Sequence, residues 1–185
     1  MALIDIIRER KSVRKYSDRP VEREKVLKCI EAARLAPSAE NVQPWRFIVV
    51  DDPVLREKLC SGACSGIYRP TRFIVNAPVV VVILARIDLL ANVIGRRVQG
   101  TQFYLLDIGI AGEHLVLQAQ ELGIGTCWIG WFSSKKVRNT LSIPQRYRVV
   151  SLIAMGYPAE GATKNKSDLS IEEIVFFNEE ASENL

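Results

Sequence analysis

The sequence has a single histidine, His114, and that scarcity is the first limit on its chemistry. Ser-His-Asp or Cys-His catalysis would have to run through it. His114 lies inside "LLDIGIAGEHLVLQAQELG", a stretch with helical spacing, where a satisfied structural imidazole is the better reading. Long apolar runs are missing too. The longest, "APVVVVILA" at residues 77–85, has nine residues, against the roughly 20 that a membrane-spanning helix needs. It reads as a buried strand. The N-terminus places its apolar residues before its basic ones, the reverse of a secretory signal, so a cytoplasmic protein is expected. The four cysteines, Cys29, Cys60, Cys64 and Cys127, lack metal or redox spacing. They are expected to be reduced structural thiols, with no metal site. Both common nucleotide motifs fail. G-x-G-x-x-G would require glycine where Trp128 stands, and G-x-x-x-x-G-K-[ST] has no match. An enzyme built this way would take its hard chemistry from a cofactor.

What is present is ordinary globular composition: 185 residues, 48% hydrophobic and 25% charged, enough for one sizeable domain. The net charge of +4 is unevenly spread. Residues 1–34 are rich in Lys and Arg, whereas "IEEIVFFNEEASENL" at the C-terminus carries neither. Residues 3–9 read as a helix with Leu3, Ile6 and Ile7 on one side, and Arg10 to Asp18 as an exit loop. A second helix follows Pro20, with Val26, Leu27, Ile30 and Ala33 sharing a face, and it stops before Pro37. "RFIVVDD" is a strand, and Asp52-Pro53 caps a helix to about Cys60. The longest helix spans about 99–122, with Phe103, Leu106, Ile110, Leu117 and Leu122 as core candidates, and Gly123 and Gly125 end it. The strand or extended segment "TCWIGWF", then a short helix capped by Ser133 or Ser134 and running through Leu141, and the strand "RYRVVSLIAMGYP" complete the body. Helices interleaved with continuous apolar strands give an α/β or α+β sandwich with a covered sheet. Ile171, Ile174, Val175, Phe176 and Phe177 in the tail need a surface, which another subunit would supply.

Three stretches carry the chemistry. Arg10, Lys11, Ser12 and Arg14 offer forked guanidinium donors, an ammonium and a hydroxyl, a set that suits a phosphate; a solvated basic face is the alternative. "APSAENVQPWRF" at 36–47 sets Asn41 and Gln43 in a loop stiffened by Pro37 and Pro44. Their amides can read a heterocycle edge that shows both donors and acceptors, or they can satisfy loop backbone. Glycines at 123, 125 and 130 suggest close approach to something flat, or turns and packing.

In this order, "R-x-S-x-R" at 10–14, "APSAENVQPWRF", "DIGIAGEHLVLQAQELGIGTCWIG" at 107–130 and "LSIPQRYRVVSLIAMGYP" at 141–158 closely resemble the nitroreductase family of flavin-dependent oxidoreductases. The resemblance covers nearly the whole chain. It implies an α+β sandwich whose central, mostly antiparallel sheet is flanked by helices, in an intertwined homodimer with active sites at the interface. Residues 1–160 would form the FMN-binding domain, and 161–185 an extension packing on the partner subunit. It implies tightly bound FMN, NAD(P)H as reductant and hydride transfer through flavin N5, with ping-pong kinetics toward nitroaromatics, quinones or related acceptors. Carried over by position, Arg10, Lys11, Ser12 and Arg14 would hold the FMN phosphate and the neighbouring flavin edge. Pro37, Ser38, Ala39, Asn41 and Gln43 would reach the flavin from the partner chain, with Trp45 and Phe47 anchoring their loop. Trp128, Ile129, Gly130 and Trp131 would lie along the isoalloxazine, with the Gly130 N–H donating to N5.

The chain departs from the family late. Where relatives usually carry a basic phosphate ligand, it has Asp168 within "TKNKSDLSIEEIV", leaving Lys164 or Lys166 as substitutes. Tyr68, Arg69 and Arg72 are candidates to shape the substrate space. Competing readings are an FMN enzyme with a different reaction, such as dehalogenation or dehydrogenation; a non-catalytic flavin-binding module; and a nucleic-acid binder using the basic N-terminus, which the acidic tail argues against.

Overall fold

The apolar run becomes the central strand of the fold because its side chains point alternately to two faces, and both faces are covered. In the computed structural model, which describes residues 2–87, 100–162, 167–175 and 177, this strand is β2 (Val79–Arg86). Its neighbours are β1 (Trp45–Val50) and β4 (Tyr147–Gly156), and β3 (Gly125–Ile129) pairs with the far side of β4. The sheet order is β1-β2-β4-β3, with every pair antiparallel. Register is set by Val50 opposite Val80, Val79 opposite Met155 and Gly125 opposite Gly156.

Two cores follow from the alternation. Val79, Val81, Ile83 and Ala85 face one cluster, which they share with helices α2 (Arg23–Arg34) and α4 (Phe103–Glu121). Val80, Val82 and Leu84 face the other, with α3 (Pro53–Ala63), the 3-10 segment Gly66–Asn76 and α5 (Ser134–Thr140). Fully burying one such side chain stabilises by about 1.5–3 kcal/mol, so this strand alone contributes on the order of 10 kcal/mol before chain entropy is counted. The expected α+β sandwich with a mostly antiparallel, covered sheet is therefore the observed fold.

Local signals perform as their chemistry requires. The Asp52 carboxylate accepts the Leu55 N–H at 2.7 Å and caps α3, with Pro53 in the first turn. That helix runs on to Ala63, past the expected end at Cys60. The Ser133 hydroxyl caps α5. Gly123, at φ +73°, takes the left-handed position that ends α4, and Gly125 opens β3. All four cysteines are buried and unpaired, and burial pushes the Cys29 and Cys60 thiols up to about 12. His114 is half-buried, with Nδ1 3.3 Å from the Ala32 carbonyl oxygen, a structural role.

The faces of three helices correct the sequence reading. In α1 (Leu3–Glu9) only Ile6 is buried, and Leu3 and Ile7 are exposed. In α2 the buried residues are Val26, Cys29 and Ala33, while Leu27 is exposed. In α4 the core face is Tyr104, Asp107, Ile108, Ala111, Gly112, Leu115, Val116 and Ala119; Leu106 and Ile110 point outward. Helix α4 is apolar nearly all round, so periodicity cannot select its inner face. Small residues select it instead, because Ala111, Gly112 and Ala119 let the helix approach the sheet closely. A Cβ on Gly112 would stand 2.2 Å from Cη2 of the Trp128 indole.

In the tail, Leu169, Ile171, Ile174, Val175 and Phe177 are exposed. No helix among the described residues is long and apolar enough to cross a membrane. Gly112→Ala should cost about 1–3 kcal/mol by overpacking against Trp128, read as a lower urea midpoint. An unchanged midpoint would mean that the indole has room to move away.

Candidate active site

The basic stretch leaves α1 extended and docks on the outer edge of β3. The Val13 N–H donates to the Thr126 carbonyl at 2.9 Å, in a parallel bridge between Ser12 and Thr126. Val13 is buried, and Gly125 makes room for it, since a Cβ there would meet Val13 Cγ2 at 2.6 Å. The Tyr16 hydroxyl donates to the Val13 carbonyl at 2.7 Å and fixes the far end. Val13 turns inward, so its neighbours Ser12 and Arg14 turn the other way. Burial pushes the Cys127 thiol up, while Arg14, Ser12 and Arg10 pull it down in part. Arg10 Nε lies 3.9 Å from the half-exposed Glu113 carboxylate. A contact that long and that wet is worth little, which leaves the guanidinium free for a stronger anion.

Beyond Thr126 the edge of β3 is open among the described residues. Thr126 turns its carbonyl outward, and by the two-residue alternation Trp128 directs its main-chain groups the same way, with Gly130 following just past the strand's end. A Cβ on Gly130 would meet nothing within 4 Å, so packing does not explain this glycine and the space beside its backbone is open. The side chains of Trp128 and Ile129 are turned away. The indole of Trp128 fills the gap at Gly112, so this residue offers the edge main chain only, and Ile129 is buried in the opposite cluster with its main chain toward β4. Trp131 is 55% exposed yet held in place. Its indole N–H donates to the Ile67 carbonyl at 2.9 Å, its own carbonyl accepts from the Thr71 hydroxyl at 2.9 Å, and Tyr68 leans on it with ring centroids 5.2 Å apart.

The loop from Pro37 to Gln43 carries left-handed backbone at three non-glycine residues, with φ of 49° at Glu40, 52° at Asn41 and 46° at Gln43. Such conformations cost about 1–3 kcal/mol each and persist where their surroundings enforce them. Here the Ser38 hydroxyl accepts the Gln43 N–H at 3.0 Å, and the Asp107 carboxylate accepts the Ala39 N–H at 3.0 Å. The side-chain amide of Gln43 donates to that of Asn41 at 2.8 Å, so the two carboxamides brace each other and stay exposed. Trp45 is buried, and Phe47 packs on the same core, anchoring the loop as expected.

The fold thus brings Arg10–Arg14 together with Trp128–Trp131 on one edge of the sheet. The Ser38–Gln43 loop leads into β1, the opposite edge, three strand spacings or about 14 Å away. Within one chain the two groups do not meet on a common edge. Lys164 and Lys166 lie outside the described residues, and Asp168 is exposed. Tyr68 reaches the site's margin through Trp131, whereas Arg69 and Arg72 are exposed on the same 3-10 segment. Sequence reading gave no role to Asp107 or Thr71. Asp107 had a signal: it is the one acidic residue on the apolar stripe that buries Tyr104, Ile108 and Ala111. Thr71 acts through a contact between residues far apart in sequence, which no local pattern encodes.

Comparison with known proteins places these features. The family model described as the nitroreductase family matches residues 7–63 and 69–157. A protein of Archaeoglobus fulgidus, provisionally named an NADH dehydrogenase/NAD(P)H nitroreductase, is 35% identical over 161 residues, covering 85% of this chain and 86% of its own. The crystal structure of an FMN-dependent nitroreductase from Clostridium difficile R20291 superimposes with a TM-score of 0.77 at 34% identity, over 95% of this chain and 99% of that one. More distantly, an iodotyrosine deiodinase of Thermotoga neapolitana is 21% identical over 182 residues, covering 88% of this chain and 91% of its own.

Burial pushes the Asp107 carboxyl above its ordinary value of 3.8, and the Ala39 N–H offsets this only in part. The folded protein therefore binds this proton more tightly than the unfolded chain does. Its contribution to stability is greatest below the ordinary Asp range and declines as pH rises through the folded value. Asp107→Asn abolishes that slope. Across about pH 4 to 7, its thermal midpoint should gain on the native protein's as pH rises, then run parallel once the carboxyl has ionised. A constant offset across that range would contradict the shift.

Proposed function

This chain belongs to the nitroreductase family, and we propose that it is an NAD(P)H-dependent FMN oxidoreductase that reduces nitroaromatic, quinone or related acceptors. The observation that carries this reading is the docking of the basic Arg10–Arg14 strand beside an open sheet edge at Gly130. One piece of backbone thereby offers an anion site and, next to it, free donors for a planar heterocycle. FMN has both parts, and the residues present fit it. When bound, FMN supplies the redox chemistry, taking hydride from NAD(P)H and passing it to the acceptor.

The protein's share is position and electrostatics. Arg10, Lys11, Ser12 and Arg14 hold the phosphate and the adjoining ring edge, with Lys164 or Lys166 adding charge. The N–H of Gly130 orients the reactive edge of the ring. Trp131, fixed by Ile67 and Thr71, walls the space beside it. Pro37, Ser38, Ala39, Asn41 and Gln43 complete the site from a second copy of the chain. Two observations support a homodimer. The loop and the basic strand occupy opposite edges of one sheet, and Leu3, Ile4, Ile7, Leu105, Leu106 and Ile110 expose large apolar side chains on α1 and α4. Residues 161–185 form the extension that packs on the partner. Four buried, unpaired thiols suit a reducing cytoplasm. The similarity to a deiodinase keeps one second reading, an FMN enzyme of this fold that cleaves a carbon–halogen bond.

Protein purified without added flavin should be yellow, and it should bleach under anaerobic NADH or NADPH. A yellow protein that neither reductant bleaches would favour the second reading. Arg10→Ala combined with Ser12→Ala should weaken FMN binding at least tenfold, since one charged hydrogen bond is worth about 1.5–3 kcal/mol. Unchanged affinity would sink the phosphate assignment. Sedimentation should give twice the 20.8 kDa chain mass. A folded, fully flavin-loaded monomer would rule out the shared site.

A further inference from the structure

Asp107 sits on the inward face of α4 among Tyr104, Ile108 and Ala111, and is 3% exposed. A carboxyl in that stripe costs stability unless its hydrogen bonds offset the loss of water. It makes one such bond: Oδ1 accepts the Ala39 N–H at 3.0 Å, and Oδ2 is buried without a partner among the described residues. A role in core packing would be better served by an apolar side chain. The single bond therefore marks what this residue does.

That bond leads to the strained loop. The other bonds of the loop are local. The Asn41 N–H donates to the Ser38 carbonyl at 3.0 Å, the Val42 N–H to the Ala39 carbonyl at 3.1 Å, and the Gln43 N–H to the Ser38 hydroxyl. The Arg46 guanidinium, at the start of the next strand, reaches the Gln43 carbonyl at 3.2 Å. These bonds fix the shape of the loop but not its place on the fold. The Ala39–Asp107 bond ties its first half to α4, distant in sequence, while the Arg86 N–H, donating to the Pro44 carbonyl at 2.8 Å, holds its far end on β2. Helix α4 also carries Glu113, the residue nearest the Arg10 guanidinium in charge contact, and Gly112, which seats Trp128. One rigid helix thus serves as the common reference for all three stretches.

We propose that Asp107 is a positioning residue: it docks the preformed Ser38–Gln43 loop on α4, so that Ser38, Asn41 and Gln43 are presented in one fixed attitude before any ligand arrives. What the loop presents its amides to rests on the flavin reading above; the docking does not. Asn at this position keeps an acceptor for the Ala39 N–H, while Leu fills similar space without one.

The test is amide hydrogen exchange on the flavin-free protein, read over residues 38–44, with FMN affinity measured alongside. Asp107→Leu should speed exchange there about tenfold, leave β2 and α2 unchanged, and weaken FMN binding about tenfold. Asp107→Asn should restore both to within about twofold of the native protein. Native-like loop protection in a folded Asp107→Leu protein would overturn the proposal. Should that variant fail to fold, the Ala39 amide of the native protein decides: exchange at the free-chain rate overturns the docking bond, and clear protection supports it. A native protein with a protected Ala39 amide that binds no FMN would refute the flavin reading and leave the docking intact.

Discussion

The burial of β2 on both faces is the constraint from which the rest follows. Val79 to Leu84 place large side chains alternately into two cores, so helices must cover the sheet above and below. Once both faces are covered, no ligand can reach the middle of the sheet. Among the described residues, the sheet's accessible main chain remains only at its two edges, β1 and β3. The proposed site would draw on both. Backbone donors and a basic strand lie along β3, and the carboxamide loop leads into β1. A chemistry with one structural histidine and no metal-ligand cluster among the described residues suits that arrangement. Edges supply hydrogen bonds and shape, and in the proposed function the reactive atoms would come with the cofactor.

The strands and helix ends were legible in the sequence because they obey local rules. The run at 77–85 could only be a doubly covered strand, and Asp52, Ser133 and Gly123 act within one turn of where they stand. The inner face of α4 was not legible. Leu106 and Ile110 look as buriable as Ile108 and Leu115, and the choice was made by where the sheet needed small residues. Leu27 and Ile7 fail for a related reason. Apolar residues suited to an interface and apolar residues suited to a core have the same hydrophobicity, so the pattern cannot separate them.

The site was half legible. The residue types in "RKSVR" and "APSAENVQPW" state their chemistry, and their order carries the family resemblance. Their meeting points are not written locally. Ser12 joins Thr126, Thr71 bonds Trp131, and Ala39 bonds Asp107, each across a long stretch of chain. Trp128 teaches the converse. Its position in the motif invites a stacking role for the indole, yet the ring is spent on the gap at Gly112.

The open stretch of β3 has a further consequence, which concerns solubility. An edge with enough unpaired backbone to hold a ligand can also pair with a foreign strand, the usual route to sheet-mediated aggregation. Several features limit that hazard here. The strand has five residues, and its first half is already occupied by the Arg10–Arg14 segment. The bulky indole of Trp131 stands at the far end, and arginines flank the near one. An intruding strand would find a ladder too short to register and too charged to approach. The features that flank this edge also keep it from pairing with a strand of another copy.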